Sequence, residues 1–151
     1  MNLVLPLYNV SLTNIQFLET KDNIRMNGIF TKLIYSDFFM TMNGLYAIIP
    51  IALKSVNYHF GYFNPIENIT WIRDIIAIES HILQEYRRKN KSRHLRFSSI
   101  QTVLQSGTIK LSSYATDVWK EHSMPITCLK ISGVWENNGT IGITYKFLYG
   151  R

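Results

Sequence analysis

Residues 68–96 constrain the fold of this 151-residue chain more than any other stretch. Apolar side chains recur there at spacings of three and four, as they do on one face of an α-helix. Three cations follow at positions 87–89, where the dipole at the end of a helix favours positive charge. The pattern predicts one long helix over about residues 71–89, against which the other elements must pack. The residues of this apolar stripe are Ile72, Ile75, Ile76, Ile82, Leu83 and Tyr86.

The composition is that of a globular domain. Hydrophobic residues make up 46% of the chain and charged residues 17%, which argues against a disordered segment. No apolar run is long enough to span a bilayer, and the N-terminus lacks the pattern of a signal peptide. The single cysteine, Cys128, cannot form an internal disulfide, which fits a reducing compartment. We therefore expect one intracellular domain over residues 1–151 with no membrane partner.

Apolar runs before the helix predict strands. Residues 29–35 are rich in β-branched and aromatic side chains, which favour a strand. The dipeptide Asn43-Gly44 lies between two apolar runs, and Asn-Gly in that context is a strong hairpin signal. It predicts a hairpin of residues 38–42 with residues 45–53.

A second hairpin is predicted at the C-terminal end of the sequence, where residues 126–136 and 140–149 flank a turn containing Asn138-Gly139. The second strand alternates apolar and polar residues, so its apolar residues are expected to face the core. Lys130 and Lys146 then share the opposite face, together with Ser132 and Thr144. The sequence thus predicts a lightly basic sheet surface.

The order of these elements is strands, one long helix and a final hairpin, which is the order of an OB-fold barrel. We expect an α+β fold whose antiparallel sheet is strongly curved or closed into an OB-like barrel. Such barrels commonly bind oligonucleotides.

Residues 55–63 alternate in a way that predicts one strand with an aromatic face. Val56, Tyr58, Phe60 and Tyr62 fall on that face. We favour a half-buried strand whose aromatic side chains point into the core. The alternative is an open platform on which bases stack, an interaction worth roughly 1–3 kcal/mol per base.

Glu79 interrupts the apolar stripe of the predicted helix. A buried carboxylate must be paired, hydrogen-bonded or protonated. We favour a salt bridge or a position at the edge of the stripe that reaches water. A catalytic carboxylate, as in a nuclease, is the minority interpretation, because no second acid stands at a recognisable spacing.

The net charge of +6 has a local origin in the sequence. Six cations lie within residues 87–96 with no acid among them, and a dense basic patch attracts polyanions. The alternatives are a solvated linker and a nuclear-targeting sequence. The members of this basic patch are Arg87, Arg88, Lys89, Lys91, Arg93 and Arg96.

Motifs for cofactor, metal or nucleophile chemistry are missing from the sequence. There is no glycine-rich phosphate loop and no zinc-type spacing of cysteines, and the four histidines are scattered. We therefore expect no cofactor, no metal ion and no catalysed reaction.

Two stretches resemble small, poorly characterised proteins of eukaryotic DNA viruses. One is Leu33-Ile-Tyr-Ser with Met42-Asn-Gly-Leu-Tyr46, and the other is Leu129-Lys-Ile-Ser-Gly-Val-Trp-Glu136 with Gly142-Ile-Thr-Tyr-Lys-Phe147. The resemblance implies a viral origin, a location in the host nucleus or cytoplasm, and a role in binding single-stranded DNA.

Together these features predict non-catalytic binding of single-stranded nucleic acid, DNA rather than RNA, by a homo-oligomer. The basic patch would contact phosphates, Lys130 and Lys146 would extend that track, and Tyr58, Phe60 and Tyr62 would stack on bases. The alternative is a viral structural or assembly protein that acts through protein–protein contacts.

Overall fold

The computed structural model describes residues 4–23, 28–90, 96–113 and 126–150. These residues form one long helix and a large mixed sheet, so the predicted α+β class is confirmed. The helices are α1 (Ile69–Asn90) and α2 (Gln101–Gln105), with short 3-10 turns at Leu7–Asn9 and Leu12–Asn14. The strands are β1 (Leu5–Pro6), β2 (Ile15–Asn23), β3 (Gly28–Ser36), β4 (Thr41–Met42), β5 (Leu45–Ile49), β6 (Leu53–Asn57), β7 (Phe60–Phe63), β8 (Arg96–Ser98), β9 (Thr108–Ser113), β10 (Ile126–Asn137) and β11 (Thr140–Gly150).

The C-terminal hairpin β10–β11 lies in the middle of the sheet, and we call it the spine. Its strands pair antiparallel from Ile126 opposite Gly150 to Asn137 opposite Thr140. Asn138 and Gly139 occupy the turn with φ of 49° and 77°, the left-handed conformation that favours asparagine and glycine. This predicted hairpin is confirmed.

Both outer edges of the spine are divided between two partner strands. The first half of β10 pairs antiparallel with β5, and the second half pairs antiparallel with β3. The start of β11 pairs parallel with β8, and its end pairs parallel with β9. The continuous path is β1-β5-β10-β11-β9-β7-β6, with β2 and β4 joined to β3.

The prediction of an antiparallel, strongly curved or OB-like barrel is wrong. The sheet is mixed, since β1 pairs with β5 and both β8 and β9 pair with β11 in parallel. Among the described strands, β1 and β6 end the path and do not pair with each other, so the sheet stays open. The physical reason is that α1 covers one face of the sheet and buries it without any need for closure.

The hairpin predicted at Asn43-Gly44 is also wrong. β4 pairs with β3, with Met42 opposite Tyr35, and β5 pairs with β10. Gly44 has a φ of 113°, and its N–H donates to the carbonyl of Met42. The dipeptide therefore makes a tight bend that transfers the chain from one strand partner to another.

Residues 55–63 form a hairpin rather than the single strand predicted. Asn57 pairs with Phe60, so Tyr58 and His59 make a two-residue turn between β6 and β7. Tyr58 adopts a φ of 55°, an uncommon conformation for an aromatic residue. Tyr58 and His59 stand where such a turn usually has Asn-Gly, so the sequence pattern did not indicate that the strand is interrupted here.

Helix α1 packs its apolar stripe onto one face of the sheet, which we call the helix face, and the predicted helix is confirmed. Ile76 is only half-buried, whereas Trp71 and Ile78 join the core. Each fully buried side chain of this size contributes about 2 kcal/mol relative to an exposed one. None of the helices in the described part of the chain is long and apolar enough to cross a membrane. The sheet residues of this core include Leu33, Leu45, Leu129, Ile131, Val134, Ile141, Ile143 and Phe147.

Polar contacts fix both ends of α1. At its start, the side-chain oxygen of Asn68 accepts from the indole N–H of Trp71 at 2.8 Å and from the backbone N–H of Ala52 at 2.9 Å. Near its end, the hydroxyl of Tyr86 donates to Glu136 on β10 at 2.5 Å. Burial and this hydrogen bond raise the pKa of Tyr86 to about 12, so the hydroxyl remains a donor. The register of α1 on the sheet is therefore set at two points.

Candidate nucleic-acid interface

Three lysines lie in one row across the face of the sheet opposite α1. Lys130 on β10 and Lys146 on β11 are direct cross-strand partners, as their predicted shared face requires. On β9, parallel pairing with β11 begins with Leu111 opposite Phe147, so Lys110 and Lys146 both stand one residue before the first pair. We call Lys110, Lys130 and Lys146 the lysine row.

In the absence of a bound anion, charge repulsion within the lysine row destabilises the folded protein. Like charges on neighbouring strands repel; Lys130 and Lys146 are directly opposite each other, and Lys110 stands on the next strand. Glu136 is the only acid on the described parts of β5, β7, β9, β10 and β11, and it faces α1, where it accepts from Tyr86. No carboxylate on these strands therefore offsets the three ammonium groups.

An aromatic side chain stands at each end of the lysine row. Tyr46 on β5 pairs with Lys130, whose Nζ lies 5.5 Å from the centre of the tyrosine ring. This cation–π contact fixes the ammonium group. Phe60 on β7 pairs with Lys110 at the other end. The row with its two aromatic ends crosses five strands, which at the usual strand spacing is about 19 Å.

The aromatic side chains predicted to be buried on residues 55–63 are exposed. Tyr58 is 92% exposed, and Phe60 and Tyr62 also lie on the surface. Gly61 and Phe63 occupy the buried positions instead. The favoured interpretation of this stretch is wrong, and the open aromatic face that was its alternative is present beside Lys110.

A pocket of about 310 Å³ opens along the lysine row. It lies at the outer edge of β11, which pairs with β8 only as far as Gly142 and with β9 only from Phe147. Within the described residues, no strand fills the gap between these two pairings, and α2 lies beside it. We call this the edge pocket; it is lined by Val103, Lys110, Ser112, Tyr145, Lys146 and Phe147.

Glu79 supports the wall of the edge pocket from behind. Its carboxylate is 5% exposed and accepts from the N–H of Ile100 at 2.9 Å and from the hydroxyl of Ser99 at 3.1 Å. These bonds hold the start of α2, which carries Val103. Among the described residues Glu79 forms no ion pair, and its carboxylate is buried, so the favoured interpretations, a salt bridge or a water-exposed edge, are wrong; hydrogen bonds to neutral groups compensate the burial.

Burial raises the pKa of the Glu79 carboxyl, and the hydrogen bonds from Ile100 and Ser99 oppose that shift. Burial and the nearby charge of Glu79 likewise raise the pKa of Tyr145. The phenol of Tyr145 thus stays protonated. Through its hydrogen bonds to Ser99 and Ile100, Glu79 on α1 positions the start of α2.

The described members of the basic patch that lie on α1, Arg87, Arg88 and Lys89, are on a different surface from the lysine row, since α1 packs on the helix face. Arg88 forms a salt bridge of 2.7 Å with Glu85, and this hydrogen bond lowers the pKa of Glu85. Lys89 is exposed and lies with Arg88 beside a groove between α1 and β2. Arg87 is half-buried and has an interaction partner. Lys91, Arg93 and the side chain of Arg96 lie outside the described residues, although Arg96 begins β8.

Sequence reasoning did not single out Lys110, Ser112, Tyr145 or Tyr46. Residues 108–112 do alternate, with Ile109 and Leu111 buried, and this signal could have placed Lys110 on an open face. Its neighbours could not be predicted, because they depend on the parallel pairing of β9 with β11. In the described part of the chain, no group of three potential metal ligands comes together.

Comparison of the chain with protein-family models, with curated proteins and with solved structures gives no match.

Proposed function

We propose that this protein binds single-stranded nucleic acid without catalysing a reaction, and that the lysine row is the centre of the binding surface. The observation that carries the proposal is the placement of three lysines on adjacent strands of a face where these strands have no acid. A polyanion that neutralises them removes a repulsion built into the folded state. The preference for DNA over RNA rests on the resemblance to proteins of DNA viruses.

The surroundings of the lysine row support this proposal. Single-strand binders combine a positive track with aromatic side chains on which bases stack. Phe60 and Tyr62 are exposed beside Lys110 and supply such side chains. The part of the basic patch on α1 lies on another side of the molecule, so in this proposal the patch adds long-range attraction and the row makes the phosphate contacts.

The test replaces Lys110, Lys130 and Lys146 together by serine. Each phosphate contact to a single strand contributes about 0.7 to the slope of log K against log salt, so the triple variant should flatten the slope by about two units. Binding should weaken to a similar extent for all base sequences, because phosphate contacts position a strand without specifying it. The measurement is fluorescence anisotropy of a labelled oligonucleotide at several salt concentrations.

The matched control removes three charges elsewhere, by changing Arg88, Lys89 and Lys91 to serine. This variant should keep most of the slope of the parent. A flattened slope in the control and an unchanged slope in the triple lysine variant would move the site to the end of α1. A parent that binds no oligonucleotide even at low salt would refute nucleic-acid binding.

A second candidate function is assembly through protein–protein contacts, and two exposed aromatics favour it. Phe38 and Phe39 are 102% and 95% exposed in the loop between β3 and β4. The loop is braced, because Asp37 accepts from the N–H groups of Phe39 and Met40 at 2.8 and 3.0 Å. An apolar pair held out in this way is typical of a contact site rather than of a core.

The same chain also has a pocket that is a candidate binding site for Phe38 and Phe39 of another copy. A pocket of about 420 Å³ lies beside the start of α1, with Leu7, Pro50 and Trp71 among its apolar residues. In this second candidate, Phe38 and Phe39 of one copy enter the pocket of another. Changing both to serine should then reduce the sedimentation coefficient of a self-associating parent to that of a monomer, whereas Tyr58→Ser should not. A parent that stays monomeric at high concentration would exclude this contact.

A further inference from the structure

The edge pocket has two chemically different walls. Lys110, Lys146 and the hydroxyl-bearing Ser112 provide groups that bind an anion. Val103 and Phe147 provide apolar surface, and the ring of Tyr145 lies edge-on to Phe147 with centroids 5.8 Å apart. A ligand that fits both walls carries a negative charge next to a flat apolar body.

The edge pocket lies beside the lysine row, where a bound nucleic-acid strand would meet it. Both lysines of the pocket belong to the lysine row, so a nucleic-acid strand bound along the row lies next to the pocket. Its volume of about 310 Å³ is near the lower end of the range for small-molecule sites. It suits one base rather than a longer segment.

We propose that the edge pocket takes one unpaired base of the bound strand, against Val103, Tyr145 and Phe147, while the adjoining phosphate lies on Lys110 and Lys146. This inference rests on the proposed nucleic-acid binding and specifies its substrate as single-stranded. A base inside a duplex is stacked and paired, and it can enter such a pocket only if it is flipped out.

The experiment fills the pocket without changing its charge, by Ser112→Trp. Affinity is measured by anisotropy for two labelled oligomers of equal length and charge, one of thymidylate units and one of abasic units. The parent should prefer the thymidylate oligomer, because bases stack on Phe60 and Tyr62 as well as entering the pocket. Ser112→Trp should reduce this preference by about tenfold, which is the effect of one stacked base, and should keep the affinity of the parent for the abasic oligomer, because the lysines are unchanged.

The matched control is Ala77→Trp, which adds the same ring at an exposed site on α1, on the other face of the sheet, and should keep the preference. Equal binding of both oligomers by the parent, or a preference of the same size in the parent and in Ser112→Trp, would overturn the pocket and leave the lysine row in place. Failure of the parent to bind either oligomer would overturn the proposed function itself.

Ser112→Leu replaces the tryptophan variant if thermal melting shows that the latter does not fold. The parent gives an independent readout by competition. Thymidine monophosphate should displace the labelled thymidylate oligomer at roughly a tenth of the concentration needed for deoxyribose 5-phosphate, because only the former has a base. Equal competition by the two would contradict the inference.

Discussion

Replacement of Gly133 by alanine is expected to lower the free energy of unfolding by at least about 3 kcal/mol. Gly133 lies at the irregularity in β10 where the register with β11 shifts, and it pairs with Lys32 on β3. A Cβ atom there would stand 2.2 Å from the carbonyl oxygen of Thr31 and 2.8 Å from the ring of Phe30. A backbone oxygen cannot give way by a rotamer change, so β3 must move away from the spine of the sheet.

The matched control for Gly133→Ala is Gly61→Ala. A Cβ at Gly61 would meet the ends of two leucine side chains, Leu53 at 2.9 Å and Leu111 at 3.1 Å, and these can rotate. Chemical denaturation should therefore show a smaller loss for Gly61→Ala than for Gly133→Ala. Equal losses in the two variants would show that the close packing of β3 on β10 is not what requires glycine at position 133.

Replacement of Glu79 by alanine is expected to destabilise the protein by about 3 kcal/mol. The change leaves the N–H of Ile100 and the hydroxyl of Ser99 without their acceptor, and it opens a cavity beneath α2. A loss of this size lowers the Tm of a domain of this length by roughly 6–12 °C. An unchanged melting temperature would contradict the buried position of Glu79.

Glu79→Gln separates the hydrogen bonds of Glu79 from its charge. The glutamine carbonyl can still accept from Ile100, and the Ser99 hydroxyl can accept from the amide group. At pH 7 this variant should be at least as stable as the parent, because it avoids a buried charge. Thermal melting of parent and variant at the same pH measures the difference.

The pH dependence of this difference has a definite sign. The pKa of Glu79 is raised in the folded protein above its ordinary value of 4.5, so the folded state holds the proton more tightly than the unfolded chain. The contribution of Glu79 to stability is complete below pH 4.5 and is lost as pH rises through the folded pKa. The stability of the parent relative to Glu79→Gln should therefore fall between pH 4 and pH 7. A rise over that interval would show that the pKa is lowered.

The elements with strong local signals could be predicted from the sequence. The 3.6-residue period of the apolar stripe determines α1, because that stripe must be buried whatever it packs against. Asn138-Gly139 determines the last hairpin, because both residues tolerate a left-handed backbone. The opposite placement of Lys130 and Phe147 follows from the alternation of side chains along a strand.

Strand partners were decided only by the tertiary structure. Asn43-Gly44 has the same local signal as Asn138-Gly139, yet its flanking strands pair with β3 and β10, and in these pairings Met42, Leu45 and Ala47 are buried in the core. Tyr58 and His59 turn the chain without a turn signal, since β7 is held by β9. Local propensity is a small energy compared with the burial of a whole strand.

In the candidate site, too, some residues could be placed from the sequence and others only from the tertiary structure. The sequence by itself determined that Lys130 and Lys146 share an open face, because they occupy alternating positions of one hairpin. It could not place Lys110 beside them, because parallel pairing of β9 with β11 joins residues far apart in the chain and leaves no periodic trace in either segment. Nor could it give Glu79 its role, since packing decides which hydrogen-bond donors meet a buried carboxylate. Periodicity fixes which side of an element is buried, whereas long-range contacts decide which elements meet and thus where a binding surface forms.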